Sequence, residues 1–256
     1  MEYRYNKDFY NKFKKFVLLF MKLLYRVEVN GIENIPEDTN YVLAGNHLNI
    51  FDSWLLIALT NKNIRFMVDK KLYKTKLGKW FFQTLGTFDI DPNEKDTKKN
   101  AKVVKKAVEL LKNEEIVAIF PEGKTHAINV HIPFNGGVPA ISKLGNTVLV
   151  PFGIEGTYKP FTKLKINIGT PINFKELKLD KEDENFYLEK MVRELEPYDG
   201  KITYLETIVK EVINEIGEKE LEEEMNPLYF NNKEEEISYL EEKKKNLKLT
   251  KKIRSN

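Results

Sequence analysis

Asn46-His47-Leu48-Asn49-Ile50-Phe51-Asp52-Ser53 is the stretch on which the interpretation of this chain depends. An apolar run at residues 41–44 precedes it and predicts a buried strand, and the apolar run at 54–59 predicts a helix. His47 is therefore expected in a strand-to-helix loop, and Asp52 at the N-cap of the helix. From that position the Asp52 carboxylate can accept the Nδ1 proton of His47, which leaves Nε2 as a base.

A histidine and an aspartate at such a spacing also occur by chance at roughly one position in twenty, so the pair alone is a weak indication of function. Two later segments strengthen that indication. These segments are Phe120-Pro121-Glu122-Gly123 and Val150-Pro151-Phe152-Gly153-Ile154. With the first stretch they resemble the motifs of the glycerolipid acyltransferase family, whose best-known members are the lysophosphatidic acid acyltransferases. The resemblance covers residues 27–174 and implies acyl transfer from a thioester to an alcohol.

The resemblance also implies a role for each motif residue. His47 is expected to act directly on the acceptor hydroxyl as a base, with Asp52 orienting it, so we expect no acyl-enzyme. Glu122 is expected to hydrogen-bond the glycerol part of the acceptor, although taken alone it is more simply a turn residue. Backbone N–H groups in the loop of Gly123 are candidate donors to the oxyanion that forms during transfer.

Several cationic residues expected for a phosphate-bearing acceptor are missing. Pro92 stands where the family commonly has an arginine, Asp69 stands where it often has a lysine, and Lys124-Thr125-His126 replaces Thr-Arg-Ser. A lysine in their place offers a point charge and not the bidentate fork of an arginine. The residues that can supply positive charge from adjacent positions are Lys124, Lys70, Lys71 and His126.

Composition and motif content exclude several other function classes. The 256 residues include no cysteine, which excludes disulfides, thiolate metal sites and a cysteine nucleophile. There are only three histidines, so we expect no metal and no cofactor. The sequence has no Gly-x-Ser-x-Gly elbow, P-loop or dinucleotide fingerprint, which disfavours serine hydrolases and nucleotide-binding enzymes.

Apolar runs of strand length alternate with helical periodicity through the middle of the chain. Strands are predicted at 27–31, 41–44, 64–68, 86–90, 116–120, 148–151 and 163–168, and helices at 70–81 and 98–111. This alternation predicts an α/β fold with a mostly parallel sheet flanked by helices, and functional residues in loops beyond the strand ends. We divide the chain into an amphipathic helix (1–26), a catalytic core (27–177) and a helical extension with a charged tail (178–256).

Residues 9–24 carry large apolar side chains at helical spacing, with lysines mostly on the other side. We interpret the segment as a membrane-surface helix, since its longest apolar run, 16–21, is far below the roughly 18 residues of a spanning helix. A helix docked on the core is the alternative, and nucleic-acid binding is disfavoured because no groove-reading motif accompanies the charge. We expect a peripheral or monotopic protein on anionic lipid at the cytoplasmic face of the cell membrane.

The resemblance thus implies an enzyme that moves a fatty acyl group from acyl-CoA or acyl carrier protein to 1-acyl-sn-glycerol 3-phosphate, forming phosphatidic acid. Two alternatives stay open. In the first, the acceptor is another lysolipid or alcohol without a terminal phosphate. In the second, the chain is a membrane-surface binding protein that has lost catalysis, and the intact His47, Asp52 and Glu122 argue against it.

Overall fold

The structure, a computed structural model, describes residues 5–91, 97–125, 134, 136–196, 238–240 and 242–243. The predictions made for Pro92, for His126 and for most of the helical extension and charged tail beyond residue 196 lie outside these residues. The chain divides into two compact units, Met1–His126 with Ile132–Glu196, and Ala127–His131 with Pro197–Asn256. In the second unit only 238–240 and 242–243 are described, and they are helical.

The described residues contain seven strands: β1 Arg26–Asn30, β2 Tyr41–Gly45, β3 Ile64–Asp69, β4 Phe88–Ile90, β5 Ile116–Ile119, β6 Val148–Gly156 and β7 Lys163–Ile168. They form one sheet in the order β1-β7-β6-β2-β5-β3-β4. The strands from β6 to β4 are parallel, β7 is antiparallel to β6, and β1 is parallel to β7. The predicted α/β fold with a mostly parallel sheet is confirmed.

Helices flank the sheet, and their bounds in the described residues are α1 Lys7–Leu24, α2 Asp52–Leu59, α3 Lys76–Leu85, α4 Thr97–Lys112, α5 Val138–Gly145, α6 Phe174–Leu177 and α7 Lys181–Leu195. Local signals explain where some of them begin and end. The Asn6 side chain accepts the N–H of Phe9 at 3.0 Å and so caps α1. Thr75 caps α3 in the same way, and Gly86 ends it in the left-handed conformation with φ +78°.

The alternating side chains of β2 divide the core into two layers. Tyr41 and Leu43 belong to the cluster that includes α1 and α2, whereas Val42 and Ala44 belong to the cluster that includes α4, α5 and α7. All five residues of β2 are buried. This is the expected state of a central parallel strand that is covered on both faces, and it explains why the strand is a continuous apolar run.

Helix α1 lies where helical spacing predicts a helix. It buries Tyr10, Val17 and Met21 against the rest of the first unit and leaves Phe16 and Leu19 exposed. Within the residues that the structure describes, no helix is both long enough and apolar enough to traverse a bilayer. The membrane-surface role of α1 and the division of the chain at 26 and 177 stay predictions.

Three predicted boundaries were wrong. The helix after β2 begins at Asp52, so Asp52 is the first helical residue and not the N-cap. The predicted helix at 70–81 is split into a 3₁₀ turn, Lys70–Tyr73, and α3, because Thr75 caps a new helix. Strand β4 has only three residues, since the turn that ends α3 occupies the positions before it.

The strand order brings the motif loops together. Because β2 lies between β6 and β5 and the three strands are parallel, the loops that follow them leave the same edge of the sheet as neighbours. The chain enters the His47 loop from β2 and the Glu122 loop from β5. The candidate site is therefore built where these two loops and the segment after β6 meet.

Candidate active site

Asn46, the first residue after β2, fixes the start of the His47 loop. It is buried, its Nδ2 donates to the Ile154 carbonyl at 2.9 Å, and its Oδ1 accepts the Ile154 N–H at 2.7 Å. The side chain thus continues the β2–β6 pairing where the backbone of β2 leaves it. Gly45 allows this close approach, because a Cβ there would lie 2.2 Å from the Phe152 carbonyl oxygen.

The loop folds around the carboxylate of Asp52, which has no solvent-exposed surface. Its Oδ2 accepts the backbone N–H groups of Leu48 at 2.7 Å and Asn49 at 2.8 Å, and it lies 2.9 Å from His47 Nδ1. Because an ionised carboxylate can only accept hydrogen bonds, this geometry fits the imidazole tautomer with its proton on Nδ1. The predicted contact between His47 and Asp52 is therefore present.

The His47 imidazole is held on two further sides. Its ring stacks on Phe120 with the ring centroids 3.9 Å apart and an interplanar angle of 12°. Its backbone N–H donates to Glu122 Oε2 at 2.6 Å. The side chain remains 18% exposed. With Nδ1 facing Asp52, Nε2 is the ring nitrogen that can exchange a proton with a substrate.

Glu122 joins the β5 loop to the β2 loop. It is buried, and the contact with His47 connects residues 75 positions apart in sequence. Gly123 closes the turn that presents it, with φ +72° and its N–H donating to the Phe120 carbonyl at 3.1 Å. Because the Gly123 N–H already donates to Phe120, a backbone donor to the oxyanion from this loop would have to be the N–H of a neighbouring residue.

The three predicted lysines lie at the same edge of the sheet. Lys70 and Lys71 follow β3, where Lys70 pairs with Asp91 and the Lys71 Nζ lies 3.6 Å from an Asp69 carboxylate oxygen. Both lysines are more than half exposed. Lys124 is exposed in the loop after β5. The structure thus brings His47, Asp52 and Glu122 into direct contact and gives Lys70 and Lys71 acidic partners.

Sequence reasoning missed Tyr158, whose hydroxyl donates to Asp52 Oδ1. Burial, and then the charge of Asp52, raise the pKa of this hydroxyl far above its ordinary value, so the hydroxyl stays protonated. Asn46 was missed as well. The signals in the sequence were only their positions, Asn46 directly before His47 and Tyr158 shortly after the segment 150–154.

Comparison with known proteins agrees with this geometry. Residues 26–155 match the profile of the family described as Acyltransferase. The chain belongs to the acyltransferase family. Within the described residues of this acyltransferase, no group of three or more metal-ligating side chains is placed to hold a metal ion.

Relatives of this acyltransferase carry a more specific name. This chain is 29% identical over 153 residues to a 1-acyl-sn-glycerol-3-phosphate acyltransferase of Bacillus subtilis. The match covers 57% of this chain and 74% of that relative. A Streptococcus pneumoniae protein of the same name is 26% identical over 170 residues, and the match spans 63% of this chain and 61% of that protein.

A solved structure has the same fold. It is the crystal structure of the 1-acyl-sn-glycerophosphate acyltransferase PlsC from Thermotoga maritima, with a TM-score of 0.59. The match covers 73% of this chain and 77% of that chain at 23% sequence identity. At this level of identity the likeness establishes the α/β architecture of the acyltransferase.

Replacing Glu122 with alanine should destabilise the acyltransferase, because the buried acceptor of the His47 N–H is lost. We expect a decrease of about 1–3 kcal/mol in the free energy of unfolding, measured by urea denaturation. Glu122→Gln is the matched control, since its amide oxygen can still accept that N–H. Equal stability of the alanine and glutamine variants would contradict the anchoring role of Glu122.

Proposed function

We propose that this acyltransferase moves a fatty acyl group from an acyl-CoA or acyl carrier protein thioester to the free hydroxyl of 1-acyl-sn-glycerol 3-phosphate. The product is phosphatidic acid, an intermediate of phospholipid synthesis. The observation that carries the proposal is the contact of His47 Nδ1 with the buried Asp52 carboxylate in a family of acyl-transfer enzymes. The names of the curated relatives support the choice of acceptor.

The proposed reaction is a direct transfer in a ternary complex. His47 Nε2 takes the proton of the acceptor hydroxyl while that oxygen attacks the thioester carbonyl carbon. Asp52 keeps the imidazole in its tautomer and stabilises the imidazolium that forms. When the tetrahedral intermediate collapses, the C–S bond breaks, the new C–O ester bond remains, and the proton on Nε2 passes to the leaving thiolate. The balance requires no nucleophilic side chain and no metal.

Acceptor binding at the edge of the sheet is proposed for the predicted polar residues. Glu122, beside the His47 backbone, is proposed to contact the glycerol part, and the loop of Gly123 is proposed to face the reacting carbonyl. Lys70, Lys71 and Lys124 are the proposed partners of the phosphate. A phosphate on Lys70 would compete with the Asp91 carboxylate that already pairs with it.

This competition favours one alternative acceptor. If Asp91 and Asp69 retain Lys70 and Lys71, the site presents less positive charge to a phosphate, and a lysolipid without a terminal phosphate becomes the better substrate. A protein that has lost catalysis is disfavoured, since selection for a surface-binding role alone gives no reason for a buried, hydrogen-bonded carboxylate beside an imidazole.

An acceptor panel with a His47→Ala control tests the proposal. We expect the purified protein to acylate 1-acyl-sn-glycerol 3-phosphate faster than lysophosphatidylcholine or monoacylglycerol, as measured by thin-layer chromatography of radiolabelled product. His47→Ala should lose about 10²–10⁴-fold in turnover, because general-base catalysis contributes that much. Ser53→Ala, which removes a hydroxyl bonded to the Ile50 carbonyl in the same loop, should retain turnover.

Two outcomes of that assay would contradict the proposal. Undiminished turnover by His47→Ala would exclude His47 as the base. Equal rates for acceptors with and without a terminal phosphate would support the alternative acceptor.

We further propose that α1 lies in the surface of an anionic membrane, which would place the site near its lipid substrates. Its exposed apolar side chains, Phe16, Leu19 and Leu23, are available for insertion. Lysines on the same helix would favour anionic lipid by about 1 kcal/mol each near the surface. Phe20 contacts Phe51 of the His47 loop with ring centroids 5.6 Å apart, so α1 adjoins the site. We propose that the protein lies on the cytoplasmic face of the cell membrane.

Replacing both Leu19 and Leu23 with serine should weaken binding to vesicles of phosphatidylglycerol and phosphatidylcholine at least about tenfold, because apolar burial in the bilayer is lost. Co-sedimentation measures the effect. The matched control is Phe186→Ser, which removes an even more exposed apolar side chain from α7, on the opposite face of the sheet. The membrane role of α1 is contradicted if the double variant and the control bind vesicles equally well.

A further inference from the structure

We propose that Tyr158 is a positioning residue, which holds Asp52 Oδ1 and thereby limits the basicity of His47. The inference rests on the proposed role of His47 as the base, and it assigns Tyr158 to the same site. Tyr158 lies in the segment that follows β6, outside the three motif segments. Its contact with Asp52 spans 106 positions of the sequence.

The two oxygens of Asp52 have separate partners. Oδ2 faces His47 Nδ1 and accepts the N–H groups of Leu48 and Asn49. Oδ1 accepts the hydroxyl of Tyr158. Because the carboxylate has no exposed surface, bulk water cannot readily replace a missing donor. The Tyr158 hydroxyl therefore fixes the rotation of the carboxylate as well as satisfying Oδ1.

The Tyr158 ring is itself held in place by two aromatic neighbours. The Tyr25 ring packs edge-on against it at a centroid distance of 5.7 Å, and the Tyr25 hydroxyl lies 3.3 Å from the Tyr158 carbonyl oxygen. The Phe51 ring lies 5.9 Å away, beside Asp52 in the sequence. Such packing restricts the ring to an orientation that presents its hydroxyl to Oδ1.

The hydroxyl acts as a donor and not as a proton acceptor. Burial, and next the charge of Asp52, raise the pKa of Tyr158 far above its ordinary value, so the phenol is neutral when it meets Oδ1. A hydrogen bond from a neutral phenol stabilises the negative charge on Asp52 and draws it toward Oδ1. Less charge then remains at Oδ2 to stabilise the imidazolium form of His47.

Removing this donor should raise the pKa of His47. The titratable groups that contact His47 and Asp52 among the described residues are Glu122, through the His47 N–H, and Tyr158, with Tyr25 behind it. With Glu122 unchanged, Tyr158→Phe leaves a carboxylate that attracts the imidazolium more strongly. Since the base must be neutral, activity should then be lost at a higher pH on the acidic side.

The test is Tyr158→Phe in the full-length chain. NMR titration of the His47 imidazole, assigned by the signal missing in His47→Ala, should show a raised pKa for His47. The acidic limb of kcat/KM against pH should move upward with it. We expect kcat to fall about tenfold, because the carboxylate that orients the imidazole is no longer held in one rotation, and KM for the lysolipid to change little. Tyr10→Phe is the matched control. The buried Tyr10 hydroxyl accepts the Ile64 N–H at the first residue of β3, at the opposite edge of the sheet from His47. Its loss should change neither the pKa of His47 nor the pH dependence of kcat/KM.

A second substitution covers the case in which Tyr158→Phe fails to fold. Incorporating 3-fluorotyrosine at position 158 makes the phenol a stronger donor and should lower the pKa of His47. An unchanged pKa of His47 in the variant that folds overturns the role of Tyr158. A shifted pKa with no acyl transfer to any lysolipid supports the positioning role but rejects the proposed function.

Discussion

The buried carboxylate of Asp52 is the group on which the rest of the site depends. A carboxylate without solvent contact is costly unless donors surround it, and here the donors come from two loop N–H groups, an imidazole and a phenol. The loop between β2 and α2 is therefore shaped by the need to supply these donors. The position of the His47 ring follows from that shape, because Nδ1 is one of the donors.

The parallel sheet makes this arrangement possible. Three contacts tie the segment after β2 to its neighbours: Asn46 with Ile154 of β6, His47 with Glu122 in the loop after β5, and Asp52 with Tyr158 in the segment after β6. Each joins residues at least 75 positions apart, and each depends on the order β6-β2-β5 in the sheet. The His47 imidazole is thus held in place by hydrogen bonds to neighbouring segments and not by its own loop alone.

The sequence was sufficient for the parts of the structure that depend on short-range patterns. Continuous apolar runs indicated buried parallel strands, and the spacing of His47 and Asp52 within one short loop allowed their contact to be predicted. The contact of Glu122 with the His47 backbone and the roles of Asn46 and Tyr158 could not be predicted, because they depend on which strands are neighbours. Alternation of strands and helices does not specify that order.

One error has a local physical cause. Asp52 was expected to cap α2, but its carboxylate turns back to Leu48, Asn49 and His47, and Phe51 takes the cap position without a side-chain hydrogen bond. The pairing of Lys70 with Asp91 and of Lys71 with Asp69 was not predicted, and the role of these lysines in phosphate binding stays a prediction. Intramolecular pairing of this kind is visible only when the loop conformation is known.

A double-mutant cycle on acyl-transfer turnover tests most directly whether His47 and Asp52 act as one unit. His47→Ala, Asp52→Asn and the double variant are compared with the unmodified chain, after urea denaturation has confirmed that each one is folded. We predict that the double variant loses no more turnover than His47→Ala alone, because Asp52 acts through the imidazole. Losses that multiply in the double variant would contradict the joint action of His47 and Asp52, since they would mean that the two side chains contribute independently.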